Sequence, residues 1–142
     1  MSEHHAKVHW QANGPFSHEQ YNKEHQAELS GHVLPMASAN TPGFCDPEQA
    51  LAASLASCHM LTFLALAAKK RLVVDTYDDD PIATVGQLED GRYAVTKIEL
   101  FPKVSFANDS AVTNDALQKM HEKAHHHCFV SNGLSCEVVI HS

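Results

Sequence analysis

The chain has 142 residues and a formal charge of -7, with ten Lys and Arg against seventeen Asp and Glu. That length allows one domain, residues 1–142, with a real core. Apart from Lys69, Lys70 and Arg71, which fall at the expected end of a helix where cations suit the dipole, the cations form no cluster, which excludes the basic face of a nucleic-acid binder.

The opening Met1-Ser-Glu-His-His-Ala-Lys7 has no apolar h-region, so no secretory signal is expected. Residues 6–12 and 24–34 alternate in parts like strands, with Gly14-Pro15 as a break between them. Pro35 to Cys45 reads as loop. The clearest element follows. Asp46 can cap a helix, Pro47 fits its first position, Glu48 suits its positive end, and Gln49 completes a capping box. From Pro47 to Arg71 the segment is apolar on nearly every face. A soluble helix of that kind is expected to be buried all round, as the central helix. Its apolar stretch, Ala50 to Ala68, is long enough to cross a membrane. It is mostly Ala, however, and carries Ser54, Ser57, His59 and Thr62. A core helix is expected, with no membrane and a cytoplasmic location. Reducing conditions there disfavour structural disulfides, so the four cysteines need another explanation.

Beyond the helix, Leu72 to Thr76 reads as a short strand. Ile82 to Leu88 and Arg92 to Phe106 read as longer strands joined at Glu89-Asp90-Gly91, the second interrupted by Pro102. Leu117, Met120 and Ala124 give Val112 to His127 an amphipathic stripe, and Ser135 to His141 reads as a last strand. The fold class is α+β: a sheet of meander strands around one long buried helix, plus a second helix.

Two cysteines lie on helices. Cys58 is in the middle of the apolar helix, and Cys128 ends the second one. Free Cys usually behaves as a small core hydrophobe, and spacing alone favours that for Cys58. Cys45 and Cys136 carry no motif. A rival is His121-Glu122-Lys123-Ala124-His125, a formal H-E-x-x-H. On a helix its two His can hold zinc while Glu122 acts as base, which would make a hydrolase. It lacks a third ligand at a standard spacing; Glu137 and His141 are the candidates.

The run Asp46-Pro-Glu-Gln-Ala-Leu-Ala-Ala-Ser-Leu-Ala-Ser-Cys-His59 resembles the central-helix signature of the family of osmotically inducible protein C and the organic hydroperoxide resistance proteins. There a Pro-Glu opening precedes the reactive Cys by ten residues, here Glu48 and Cys58. An Ala-His-rich helix ending in Cys, with a Ser-Asn turn, also matches at Cys128 to Asn132. The resemblance runs from about Trp10 to Ile140 and looks nearest the osmotically inducible branch. It implies an OsmC-like fold, with antiparallel sheets wrapped around the central helix, in an intertwined homodimer. It implies a peroxidase acting on organic hydroperoxides in stress defence, without cofactor or metal. Cys58 would become a sulfenic acid, and Cys128 would close a disulfide that an external dithiol, of lipoylated type, reduces. Relatives activate the thiolate with an Arg paired to the Glu. No Arg precedes Arg71 here, and Lys23, in Tyr21-Asn-Lys-Glu-His25, stands nearest that role without the planar fork. Glu48 sits about 15 Å along an unbroken helix from Cys58, so it would serve a partner chain's thiol or act through a cation. A non-catalytic metal or ligand binder with the same fold is the third class.

Overall fold

The computed structural model describes residues 1–107 and 111–142. The chain divides into two compact units, Met1–Ala50 and Leu51–Ser142.

In the first unit, β1 (Lys7–His9), β2 (His25–Leu29) and β3 (His32–Met36) form one antiparallel sheet in that order. The segment 24–34, whose strand-like alternation is only partial, is therefore a hairpin. Leu29 faces His32 across it, and Ser30 and Gly31 turn the chain with φ of 50° and 80°. Two successive positive φ values match the right-handed twist of the flanking strands. The strand continues into the expected loop: Pro35 pairs with Gln26, and Met36 bridges to Cys45.

Helix α1 spans Pro47–Lys69 without a break. Its start is the expected capping box. The Gln49 amide donates to Asp46 Oδ1 at 2.8 Å, and the Asp46 amide to Gln49 Oε1 at 3.0 Å. It ends where Arg71 turns left-handed at φ 60°; Leu72 N–H then reaches Ala67 O at 3.0 Å and Arg71 N–H reaches Ala68 O at 2.9 Å. That is the Schellman arrangement, built on Arg where Gly is usual.

The second unit holds two sheets. β5 (Ile82–Gln87), β6 (Tyr93–Leu100) and β8 (Glu137–Ile140) form one; β4 (Val74–Asp78) and β7 (Lys103–Phe106) form the other. The long strand expected over Arg92–Phe106 splits at Pro102, where the chain leaves one sheet for the other. β6 and β8 run parallel, so the sheets are not wholly antiparallel. A parallel return needs a crossover, and it contains α2 (Asn114–His127) and a four-residue helix, α3 (Phe129–Asn132). Thr113 caps α2, accepting from Ala116 N–H at 3.1 Å.

Two apolar clusters share α1. Ala52, Leu55 and Ala56 join Ile98, Leu100 and Cys128; further along, Phe63 and Ala67 join Met120 and Ala124. In sequence His59 falls between the two sets. It is buried, and its Nε2 lies 3.0 Å from Nδ1 of buried His121 on α2. Burial is not all-round as expected: Ala53, Ser57, Leu61, Ala65 and Ala68 stay exposed along one stripe.

Burial, then repulsion from neighbouring imidazoles, lowers His59 from 6.5 to about 4; burial lowers His121 likewise to about 4. Both rings are neutral in the fold at pH 7. Between pH 6.5 and 4 the unfolded chain binds more protons than the folded one, so stability falls with pH across that window. Melting temperatures measured stepwise from pH 7.5 to 4.5 should drop below about pH 6.5. A His59→Leu/His121→Phe double variant should lose most of that slope. A flat wild-type profile would contradict the assignment.

Candidate functional site

The fold brings Cys58 and Cys128 together. α1 carries Cys58 half-buried beside the first cluster, and the junction of α2 and α3 presents Cys128 with no exposed surface. Cys128 Sγ donates to Cys58 Sγ at 2.9 Å, across seventy residues of sequence. All four cysteines are free thiols. Burial first, then the hydrogen bond to Cys58, pushes the Cys128 thiol up to about 11. Cys128 is therefore protonated at neutral pH and points its hydrogen at Cys58. Two thiols of unequal exposure in contact can perform two-electron redox chemistry within one chain: one meets an oxidant, the other closes the disulfide.

The junction is tightly tied. Ser131 N–H donates to Cys128 Sγ at 3.4 Å, and Asn132 N–H to Cys128 O at 3.0 Å. Asn132 Nδ2 donates to His126 O at 3.0 Å, and Ser131 Oγ bonds His125 Nδ1 at 2.9 Å. On the other side, Thr62 Oγ1 donates to the Cys58 carbonyl at 2.8 Å. Sequence reasoning treated 128–132 as a turn and gave Ser131 no contact. The available signal was the Cys-x-x-Ser spacing, which lets a Cys at an N-cap accept from the amide three residues on.

Glu48 and Lys23 belong to the first unit. Glu48 is half-buried in the first turn of α1, and among the described residues it forms no ion pair with Lys23. Lys23 Nζ lies 5.2 Å from the centroid of the Tyr21 ring. Trp10, Phe16 and Tyr21 pack in series, with ring centroids 5.7 and 5.5 Å apart, and Trp10 Nε1 donates to Asn22 O at 2.7 Å. These rings and Lys23 line a largely apolar cup of about 530 Å³. No periodicity marks that cup, because its rings come from irregular chain between β1 and β2.

The zinc motif is used differently. His121 engages His59 through Nδ1 and stacks on Phe63 with centroids 4.5 Å apart, its buried Nε2 having no hydrogen-bond partner among the described residues, while His125 Nδ1 bonds Ser131 and Glu122 faces solvent. Among the described residues no three His, Cys, Asp or Glu side chains are placed to hold a metal ion. Cys45 donates weakly to Asp46 O at 3.4 Å, and Cys136 packs half-buried against the first cluster.

The family model described as OsmC-like protein matches residues 40–142. Among solved structures, an OsmC-like protein of unknown function from Vibrio cholerae is similar at 38% identity over 99% of this chain and 99% of that chain, with TM-score 0.93. The organic hydroperoxide resistance protein OhrB of Bacillus subtilis is similar at 18% identity over 96% of each chain, with TM-score 0.69. An organic hydroperoxide resistance protein from Elizabethkingia anophelis is similar at 19% identity over 98% of this chain and 95% of that one, with TM-score 0.70. The last two likenesses show a shared fold. No curated protein matches. The family model and the Vibrio relative together establish that this chain belongs to the OsmC-like protein family.

Proposed function

We propose that this protein is a thiol peroxidase that reduces organic hydroperoxides in oxidative or osmotic stress defence. The observation that carries the reading is the 2.9 Å contact from buried, protonated Cys128 to half-exposed Cys58. The thiolate of Cys58 attacks the terminal peroxide oxygen; the O–O bond breaks, Cys58 becomes a sulfenic acid, and the alkoxide leaves as an alcohol after taking up a proton. The Cys128 sulfur then attacks the sulfenic sulfur. The S–O bond breaks, and the hydroxyl leaves as water with the Cys128 proton. An external dithiol, of the lipoylated type common to the family, reduces the disulfide to two thiols.

In this reading the protein works in the cytoplasm as a homodimer. The exposed stripe Ala53, Ser57, Leu61, Ala65 and Ala68 supports this, because an apolar helix face left to water is a cost that a second copy removes. Glu48 and Lys23 then act on a thiol of the other subunit, with Lys23 as the cation that favours the thiolate. The apolar cup with Lys23 on its wall suits an alkyl or aryl hydroperoxide better than hydrogen peroxide.

Single-turnover peroxide consumption, with mass spectrometry of each Cys→Ser variant, tests the chemistry. Cys58→Ser should consume none. Cys128→Ser should consume one equivalent and stop at a Cys58 sulfenic acid, or consume a second on over-oxidation to the sulfinic acid. Cys45→Ser and Cys136→Ser should behave as wild type. Normal turnover by Cys58→Ser sinks the peroxidase reading, and recovery of activity by zinc after chelation would move the chemistry to His121 and His125.

Cumene or tert-butyl hydroperoxide should be consumed faster than hydrogen peroxide under a common dithiol; equal rates would remove the substrate preference. Light scattering at micromolar concentration should give twice the 15.6 kDa chain mass, and Leu61→Glu should shift it toward the monomer. A wild-type monomer would remove both the dimer and the shared roles of Glu48 and Lys23.

A further inference from the structure

The proposed chemistry assigns no role to His125 or Ser131, yet both bear on the thiol that must resolve the sulfenic acid. Cys128 ends α2 and caps α3, so its side-chain direction is fixed by a junction only one residue wide. Its Sγ donates to Cys58 Sγ and accepts from the Ser131 amide, with the neighbouring Val130 backbone also turned toward it. The amide is placed by its own residue. Ser131 is buried, and its hydroxyl is held by His125 Nδ1 at 2.9 Å, six residues back on the last turn of α2. The same turn supplies His125 O as acceptor for Cys128 N–H. One side chain on α2 thus secures α3 from the side opposite to the Cys58 contact in the chain of bonds: His125 to Ser131, Ser131 to Cys128, Cys128 to Cys58.

We infer that His125 and Ser131 are positioning residues for the resolving half-reaction: their hydrogen bond holds Cys128 Sγ on Cys58 while Cys58 is a sulfenic acid. The inference rests on the peroxidase reading. Its chemical consequence follows from competition. A Cys58 sulfenic acid either condenses with Cys128, releasing water, or meets a second peroxide, which passes it an oxygen and leaves as alcohol while the sulfur becomes a sulfinic acid. The first route needs the two sulfurs in contact, and the second needs only access. Loosening the junction slows the first and leaves the second untouched. Neither His125 nor Ser131 bonds Cys58, so the first oxidation should not change.

The experiment is stopped-flow oxidation of wild type, His125→Ala, Ser131→Ala, the double variant and Ser131→Thr by a stated excess of cumene hydroperoxide, with mass spectrometry of Cys58. Sulfenic acid should form at the wild-type rate in all five. Disulfide formation should slow roughly tenfold in each Ala variant, the scale of one lost hydrogen bond, with a matching rise in sulfinic acid. The double variant should be no slower than either single, because the two residues act through one bond. Ser131→Thr, which keeps the hydroxyl, should restore wild-type partition. A wild-type disulfide rate in both Ala variants overturns the inference, as does a Ser131→Thr variant as slow as Ser131→Ala. Loss of sulfenic acid in wild type itself would instead mark failure of the peroxidase reading and take the inference with it.

Discussion

The contact between Cys58 and Cys128 depends on one constraint: α1 must hold its place between two apolar clusters that draw on different parts of the chain. Ala52, Leu55 and Ala56 fix its first half against Ile98 and Leu100, and Phe63 and Ala67 fix its second half against Met120 and Ala124 on α2. Cys58 lies on the stretch of helix that both clusters restrain, and Cys128 ends the helix that the second cluster pins. The thiols, seventy positions apart, are therefore brought within reach of each other by apolar packing of the helices that carry them. Small side chains make this possible: three of the buried positions on α1 are Ala, which lets neighbouring elements approach the helix backbone closely.

Burial also sets the two thiols apart. Cys128 has no exposed surface, and its proton is held by the cost of placing a thiolate in an apolar setting. A thiol of that kind is a poor first attacker in water; under the proposed peroxidase reading it is a good reserve, because the sulfenic acid would form at contact distance. Cys58, half-exposed, is the sulfur a soluble oxidant can reach. The sequence position that reads as an ordinary core Cys thus has a second thiol at contact distance, from a neighbour on another helix.

Much of this was legible in the sequence where the signal is local. The capping box at Asp46 and Gln49, the Gly91 turn, the length of α1 and the extent of α2 all follow from short-range propensity, and each is present. What failed was long-range. Pro102 was legible as an interruption, but not as the point where the chain changes sheets, since that depends on which strands β6 and β7 find as partners. All-round apolarity of α1 was taken as all-round burial, whereas the chain leaves the Ala53-to-Ala68 stripe uncovered. The hairpin at Ser30-Gly31 was missed because the two strands alternate too weakly to show a break. At the candidate site, both thiols were legible through a motif resemblance, and the contacts of Ser131 were not, because they need the α2–α3 junction.

The H-E-x-x-H run shows why spacing alone misleads on a core helix. An i, i+4 pair places two rings on one helix face, which is a necessary geometry for a shared metal and also the ordinary geometry of two residues facing a neighbouring helix. Here the neighbour decides. His121 meets His59, which α1 delivers to the join between the two clusters, and the pair shares one hydrogen bond while Phe63 covers the His121 ring. One turn on, His125 is drawn to Ser131. A neutral imidazole suits the first place, where burial keeps the His121 ring uncharged in the core. The run therefore serves as packing on α2, its two histidines fastening that helix to α1 at one end and to α3 at the other.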